Sequence, residues 1–441
     1  PGGAPMTTHL VGIGGAGMSG IARVLAQRGE TVTGCDRAHS LLLDQLGREG
    51  IACRVGHDPA HLDGCDRVVV SGAIPDDAPE LLRARELGLP VQHRAEALAA
   101  ILADHDRRVV VTGAHGKTTT SSMLAAAAVE LGLDPTFVVG GSVRQLGTNA
   151  RGGAGGLAIA EGDESDRSVL GLPATIGVIL NVDYDHLDHY GSVEEVRALL
   201  DEWARTIPAD GRVAVGDGVE VHPAAPIARF GVGPGEGLRA LDAAPDGDGV
   251  AFRPSRGPAR VRLQVPGVHN AGNACAAALV LEALGVPLDD AFGALEAFAG
   301  AGRRFEVVGT AFGYTVVDDY AHHPVELAAA IAAARGRDPD RLVVLFQPHM
   351  PWRTRAFAAE FAEALEAADR VVVLETYVAR GAPDPDASAL RIVERLSEGK
   401  AKFAASDKDA VRDLRGMARA GDLILCCGAG PVDVIAREVL G

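Results

Sequence analysis

Lysine is nearly missing from this chain of 441 residues: it stands only at positions 117, 400, 402 and 408, while arginine is used freely elsewhere. Basic charge as a whole is in deficit. A net charge of −17 repels a polyphosphate backbone, so nucleic acid is excluded as an expected partner. Aromatic residues make up only 4%, too few for a ring-lined binding sandwich. No apolar run reaches the roughly 18 residues that a bilayer crossing requires. The beginning of the sequence also lacks a basic stretch followed by an uninterrupted apolar core, so a cytoplasmic setting with no membrane partner is expected. The six cysteines are scattered. Cys426 and Cys427 are adjacent within a strand-like run, where neighbouring side chains face opposite ways, and all six read as small buried hydrophobes rather than disulfide partners.

Hydrophobic residues amount to 47% and charged ones to 23%, which excludes a disordered or fibrous chain and suffices for about three domains. Strand-like apolar runs alternate with alanine- and leucine-rich helical stretches, the pattern of parallel sheets covered on both faces, so the class is α/β. Three regions separate. The first, 1–105, has strands over 9–13 and 67–71 and ends near the charged break His105-Asp106-Arg107-Arg108. The second, 106–301, opens with a strand over 109–112, contains a segment rich in Gly, Pro and Asp over 211–266 and a helix over 273–284, and closes at Gly300-Ala301-Gly302. The third, 302–441, has strands over 314–317, 342–346, 370–374 and 423–427.

Gly12, Gly14 and Gly17 follow the first strand with the spacing G-x-G-x-x-G, a helix over 21–27 comes next, and Asp36 lies about twenty residues further on. The tight turn and the close approach of backbone to a pyrophosphate both need glycine, and the helix N-terminus stabilises the charge. Any diphosphate meets these requirements, so NAD, FAD and a sugar nucleotide all remain open. A second loop, Thr112 to Thr120, precedes a helix over 121–131. Its order G-x-x-G-K-T (Gly113, Gly116, Lys117, Thr118) is a shortened phosphate loop, in which amides cradle the β-phosphate, Lys117 reaches the γ-phosphate and Thr118 ligates Mg²⁺. Lys117 is the single lysine among the first 399 residues. A compact ammonium on a flexible stem suits that place, whereas arginine's planar fork would not fit it.

Two acidic runs, Glu161-Gly162-Asp163-Glu164-Ser165-Asp166 and Asn181-Val182-Asp183-Tyr184-Asp185-His186, each end a strand at the edge where open α/β sheets bind ligands. Alone, either reads as a solvated turn; beside a phosphate loop, a carboxylate and an imidazole make a reasonable Mg²⁺ site. His269-Asn270-Ala271-Gly272-Asn273 opens a helix, and Arg303-Arg304-Phe305-Glu306 starts the third region. Asp318 to Pro324 closes a strand and begins a helix, and capping by its Asp residues can coexist with ligand contact. After Gln347-Pro348-His349, either Arg353 or Arg355 is placed to clamp a carboxylate, and Trp352 to pack. The turn Cys427-Gly428-Ala429-Gly430-Pro431 carries only a structural expectation.

In order, these pieces resemble the Mur ligase family of cell-wall synthesis. The resemblance rests on the loop Gly12 to Ser19, Ser71-Gly72-Ala73-Ile74, His115-Gly116-Lys117-Thr118, Glu161 to Asp166, Asp185-His186, His269-Asn270, Arg304-Phe305-Glu306, Asp318 to Pro324 and Gln347-Pro348-His349. It implies an ATP-dependent amide-bond former of three α/β domains: a Rossmann-like N-terminal domain (1–105), a central P-loop ATPase-like domain (106–301) and a Rossmann-like C-terminal domain (302–441). Gly14, Gly15, Ala16, Gly17, Met18, Asp36 and Ser71, with Thr148 and Asn149, would hold UDP-N-acetylmuramate. Gly113, His115, Gly116, Lys117, Thr118 and Thr119 would hold the phosphates of ATP, with Asn270, Asn273 and Arg304 near the adenine and Asp319 near the ribose. Thr118, Glu161 and His186 would carry Mg²⁺. Tyr320, His349 and Arg353 would serve the amino acid, the last two counting as catalytic together with Lys117, Glu161 and His186.

Later-step members of the family use a carbamylated lysine in the central domain, and the absence of lysine between Lys117 and Lys400 points to the alanine-adding branch. The implied chemistry is attack of the sugar's lactyl carboxylate on the γ-phosphate, then attack of the amino acid's amine on the acyl phosphate. Two departures stand out. Met350-Pro351-Trp352 replaces the family's usual residues before Arg353, and Gly162 replaces an alanine. Three alternatives follow from the residues: a relative joining an amino acid to a different carboxylate in specialised metabolism, an NAD-dependent oxidoreductase, and a nucleotide-binding protein without turnover.

Overall fold

The computed structural model describes residues 5–183, 190–379 and 384–441, and among these the strands form three sheets, one in each region of the chain. The first is wholly parallel, in the order Ala52–Val55, Thr31–Asp36, Thr7–Val11, Arg67–Val70, Val91–His93. The winding reverses between Thr7–Val11 and Arg67–Val70, which opens a crevice at the strands' C-terminal ends. The glycine turn leaves Thr7–Val11 there and enters the helix Ala16–Gln27, whose buried Met18, Ile21, Val24 and Leu25 recur at helical spacing.

The middle sheet has a parallel centre: Ile227–Val232, Arg212–Val215, Ile176–Ile179, Arg107–Thr112, Leu157–Glu161, Thr136–Val143. Thr148–Arg151 joins one edge antiparallel. Leu238–Asp246, Gly249–Pro254 and Val261–Leu263 extend the other edge, so about half of the segment rich in Gly, Pro and Asp is strand. Helices Lys117–Glu130 and His269–Ala283 pack against each other in one core that is rich in buried alanines, among them Ala125, Ala127, Ala274 and Ala278. Small side chains permit this approach, and a leucine at any of these positions would overpack the site by about 1–3 kcal/mol.

In the third sheet the order is Glu306–Ala311, Tyr314–Asp319, Asp422–Cys427, Arg341–Phe346, Arg370–Leu374, Ala401–Ala404, parallel except for the first hairpin. Its central strands are buried on both faces and read as unbroken apolar runs. All six cysteines are free thiols. Among the described residues no helix is long and apolar enough to cross a membrane. One apolar cluster runs from Leu10, Ile13 and Ile21 of the N-terminal domain into Val110, Val138 and Ala150 of the middle one, while the C-terminal domain keeps clusters of its own.

Candidate active site

The loop between strand Arg107–Thr112 and helix Lys117–Glu130 turns through Gly116 at φ +85°, in the left-handed region that favours glycine. Asn181 holds the loop from the neighbouring strand end: its Oδ1 accepts the His115 N–H at 2.8 Å and its Nδ2 donates to the His115 carbonyl at 2.9 Å. The helix N-terminus above it is a ready anion site. Lys117 Nζ donates to the Gly113 carbonyl at 2.6 Å and to both oxygens of the buried Glu164 at 2.9 and 3.0 Å. Burial works against the lysine's charge, but Glu164 and then Asp163 outweigh it and raise the pKa, so the ammonium stays protonated.

Glu161 ends its strand with its carboxylate fully engaged. It accepts from the Thr118 hydroxyl (3.1 Å), the Ser121 hydroxyl (2.7 Å) and the Gly140 N–H (2.5 Å). A Cβ at Gly140 would stand 2.7 Å from Glu161 Oε2 and 2.8 Å from Thr118 Oγ1, so only glycine lets the strand Thr136–Val143 come this close. A hydroxyl and a carboxylate side by side are the hard oxygen donors that Mg²⁺ takes, so Thr118 and Glu161 fit that ion. His186, the third expected ligand, lies outside the described residues.

His115 reaches across to the C-terminal domain. Its Nε2 lies 2.9 Å from Asp183 Oδ2 and its Nδ1 3.1 Å from Glu326 Oε1, on the helix Pro324–Arg335. Burial opposes protonation, yet the hydrogen bonds to Asp183 and Glu326 prevail and lift the ring to about 9, so it is an imidazolium. Beside it a cavity of about 340 Å³ lies between the two domains, and Thr119, Asn270, Asn273, Arg304 and Asp319 line it. Asn273 donates to Asn270 at 2.9 Å. Asp319 accepts the Phe305 and Ala321 N–H groups, both at 2.7 Å, and burial raises its pKa against the pull of Arg304.

In the N-terminal crevice, Gly14 N–H donates to Asp36 at 2.9 Å, and Ser71 abuts the turn at Gly12. Gly15, Ala16, Gly17 and Met18 carry that turn into the helix Ala16–Gln27. Asn149 lies elsewhere than in an open pocket. Its Nδ2 donates to the Ala16 carbonyl at 2.7 Å and its Oδ1 accepts from Arg23, which ties the first helix to the middle domain; Thr148 Oγ1 bonds the Ala150 carbonyl at 2.9 Å. On the C-terminal side, Arg353 Nη1 lies 3.3 Å from His349 Nδ1, and His349 stacks on Tyr377 with centroids 5.9 Å apart. The His322 ring lies between those of Tyr320 and His349, and Arg304 sits 5.2 Å over Tyr320. Arg353 is buried there, whereas Arg355 is exposed and pairs with Asp384 at 2.7 Å, which removes it as a clamp.

Some participants carried no role in the sequence. Glu164 and Asn181 stand inside runs already noticed, but their partners are distant in the chain. Glu326 looks like any acid in a first helical turn, and Gly140 like any glycine in a strand. Arg94 gave no signal at all; its Nη2 donates to Asp163 at 2.7 Å and to Asp166 at 3.0 Å.

The family descriptions "Mur ligase family, catalytic domain", "Mur ligase middle domain" and "Mur ligase, glutamate ligase domain" match residues 7–106, 111–281 and 303–430. A UDP-N-acetylmuramate–L-alanine ligase of Kineococcus radiotolerans is 45% identical over 98% of this chain and 95% of its own length, and one from an Arthrobacter species is 46% identical over 94% and 90%. Among solved structures, a UDP-N-acetylmuramate–alanine ligase from Thermotoga maritima has a TM-score of 0.85 at 29% identity, covering 98% of each chain. A murein peptide ligase from Psychrobacter arcticus has a TM-score of 0.75 at 24% identity, covering 99% of this chain and 98% of that one, and so shares the fold. With all three domains matched in order and relatives alike along nearly their whole length, the chain belongs to the Mur ligase family.

Proposed function

We propose that this chain joins L-alanine to the lactyl carboxylate of UDP-N-acetylmuramate in an ATP-dependent reaction that forms ADP and phosphate, as a step of peptidoglycan precursor synthesis. The observation that carries this reading is the placement of the one lysine of the first 399 residues in the glycine loop, beside a cavity lined by the expected nucleotide residues. Relatives 40–46% identical along nearly the whole chain all carry the same ligase name, which favours this acceptor over a different carboxylate and leaves an oxidoreductase or a silent binder unsupported. The expected cytoplasmic setting belongs to the same reading.

Residue roles follow from chemistry. Lys117 exchanges the Gly113 carbonyl and Glu164 for the terminal phosphoryl group, to which the helix N-terminus also turns its N–H groups. Asn270, Asn273, Arg304 and Asp319 hold base and ribose, and the loop Gly14 to Met18 with Asp36 and Ser71 holds the UDP group. Mg²⁺, held by Thr118 and Glu161 with His186, would neutralise phosphate charge. The lactyl carboxylate takes the γ-phosphoryl and ADP leaves; the alanine amine then attacks the acyl carbonyl and phosphate leaves. Arg353, set by His349, receives the alanine carboxylate, and Tyr320 completes that side. Closure of the C-terminal domain over the cavity would keep water from the acyl phosphate.

The test is phosphate release with single omissions. Release is expected only when ATP, Mg²⁺, L-alanine and UDP-N-acetylmuramate are all present, and a panel of amino acids should rank alanine first. Release that ignores the amino acid, or a panel in which none is accepted, overturns the reading.

A further inference from the structure

The N-terminal domain contains a second cluster of chemically capable side chains, which the ligation does not use. It lies on the face of the first sheet covered by the turn Pro59–Leu62 and the helix Pro79–Leu87, where Val11, Cys35, Leu62 and Leu81 form a small core. Cys35 and Glu80 are wholly buried, and His9, on the first strand, is 1% exposed. His61 closes the cluster from the turn, and His57, its side chain 25% exposed, leads to solvent. Cys35 Sγ is 3.2 Å from Glu80 Oε1 and 3.7 Å from His57 Nδ1, and His57 Nδ1 is 3.2 Å from Glu80 Oε1. His61 Nδ1 is 3.2 Å from the same Glu80 oxygen, and His9 Nε2 is 3.4 Å from Cys35 Sγ. His9 Nδ1 meets the Thr33 hydroxyl at 2.8 Å, an outer partner of the kind that orients a metal-bound imidazole.

These separations have a geometric meaning. A tetrahedral zinc ion with bonds of roughly 2.0 to 2.3 Å to nitrogen, oxygen and sulfur has ligand-to-ligand edges of about 3.3 to 3.8 Å. Five donors from four segments, His57 and His61 sharing one, meet pairwise at 3.2 to 3.7 Å, and they form two trios that share Cys35, one with His57 and Glu80 and one with His9 and His61. A hydrogen-bonded core needs a partner for each polar atom; it does not need two trios of metal-ligating side chains that meet at one thiol.

We propose that Cys35, His57 and Glu80 form a three-ligand binding site for a zinc-like divalent cation in the N-terminal domain, with the fourth position left to water. Binding exchanges the Cys35 thiol proton, released to solvent, for the metal–thiolate bond, while the His57 imidazole binds neutral. The site is wired to the crevice, because the Cys35 carbonyl accepts the Gly12 N–H at 2.8 Å and the Ile13 N–H at 3.1 Å. A cation at the Cys35 side chain therefore stiffens the first glycine loop from behind.

The whole chain, stripped of metal by chelator, is titrated with Co²⁺ and then Zn²⁺. One Co²⁺ per chain is expected, with a near-ultraviolet sulfur-to-cobalt absorption that Zn²⁺ abolishes, and Zn²⁺ should raise the melting temperature. Cys35→Ser should lose the absorption and the Zn²⁺ shift, whereas Cys53→Ser and His115→Gln keep both. The proposal falls if the sulfur-to-cobalt absorption is absent, if it survives Cys35→Ser or if it vanishes in His115→Gln.

Discussion

The two seams between the three domains are built differently. Between the N-terminal and middle domains the apolar core is continuous, and at Gly20 an added Cβ would stand 2.7 Å from Val138 Cγ1. Arg23, Asn149 and the Arg94 pair with Asp163 and Asp166 lock its margins. Between the middle and C-terminal domains, among the described residues, no apolar core cluster crosses. That boundary is held by His115 between Asp183 and Glu326 and by Arg337 with Asp248 at 3.1 Å, and it encloses the cavity. Packing fixes shape at all times, whereas ion pairs can part and re-form with a ligand or with pH. The first seam therefore presents a crevice of constant form, and the second is the one suited to opening for a nucleotide.

The strongest test of this contrast removes the cation at the hinge of the chemistry. Lys117→Met should lower kcat by about a hundredfold or more, while the affinity for UDP-N-acetylmuramate, measured by calorimetry, stays as it was. Asn149→Ala should act in the opposite way: unfolding in urea should show a loss of about 0.5–1.5 kcal/mol, because the Ala16 carbonyl and Arg23 each lose one hydrogen bond while keeping those to Ser19 and Glu49, with the KM for ATP unchanged. If it were ATP affinity that fell, the first seam would not be the rigid one.

A smaller effect is expected from pH. The His115 pKa is raised to about 9, so its contribution to closure is complete below its ordinary value of about 6.5 and is lost as pH rises through about 9. The KM for ATP should climb across that window, and His115→Gln, with a KM raised about tenfold or about 1.4 kcal/mol, should flatten the climb. Smallest of all, Trp352→Phe weakens a cation–π contact in which Arg353 lies 4.6 Å above the ring. The KM for alanine should rise no more than about fivefold, the equivalent of about 1 kcal/mol.

Local patterns were legible in the sequence where a single segment carries the whole signal. The strand over 370–374 is found as Arg370–Leu374, and both glycine loops sit between the strand and helix that their spacing required. The strands from Leu238 to Leu263 were hidden because proline, glycine and aspartate there mark bulges and turns inside an antiparallel extension. The cavity residues were gathered only through resemblance, since Asn270 and Asp319 are far apart in the chain and nothing local couples them. Gly140, Glu326 and the seam role of Asn149 were illegible for the same reason: each is defined by a contact across domains, and periodicity reports only a residue's own helix or strand.

The scarcity of lysine has a practical consequence. An amine-acylating reagent finds just one side-chain target in the first 399 residues, and that target is tucked against Glu164, while Lys402, more exposed, supplies a fast internal standard. The ratio of the two labelling rates, followed by mass spectrometry, is thus a built-in clock for how often the nucleotide loop is laid open, with no probe engineered into the chain.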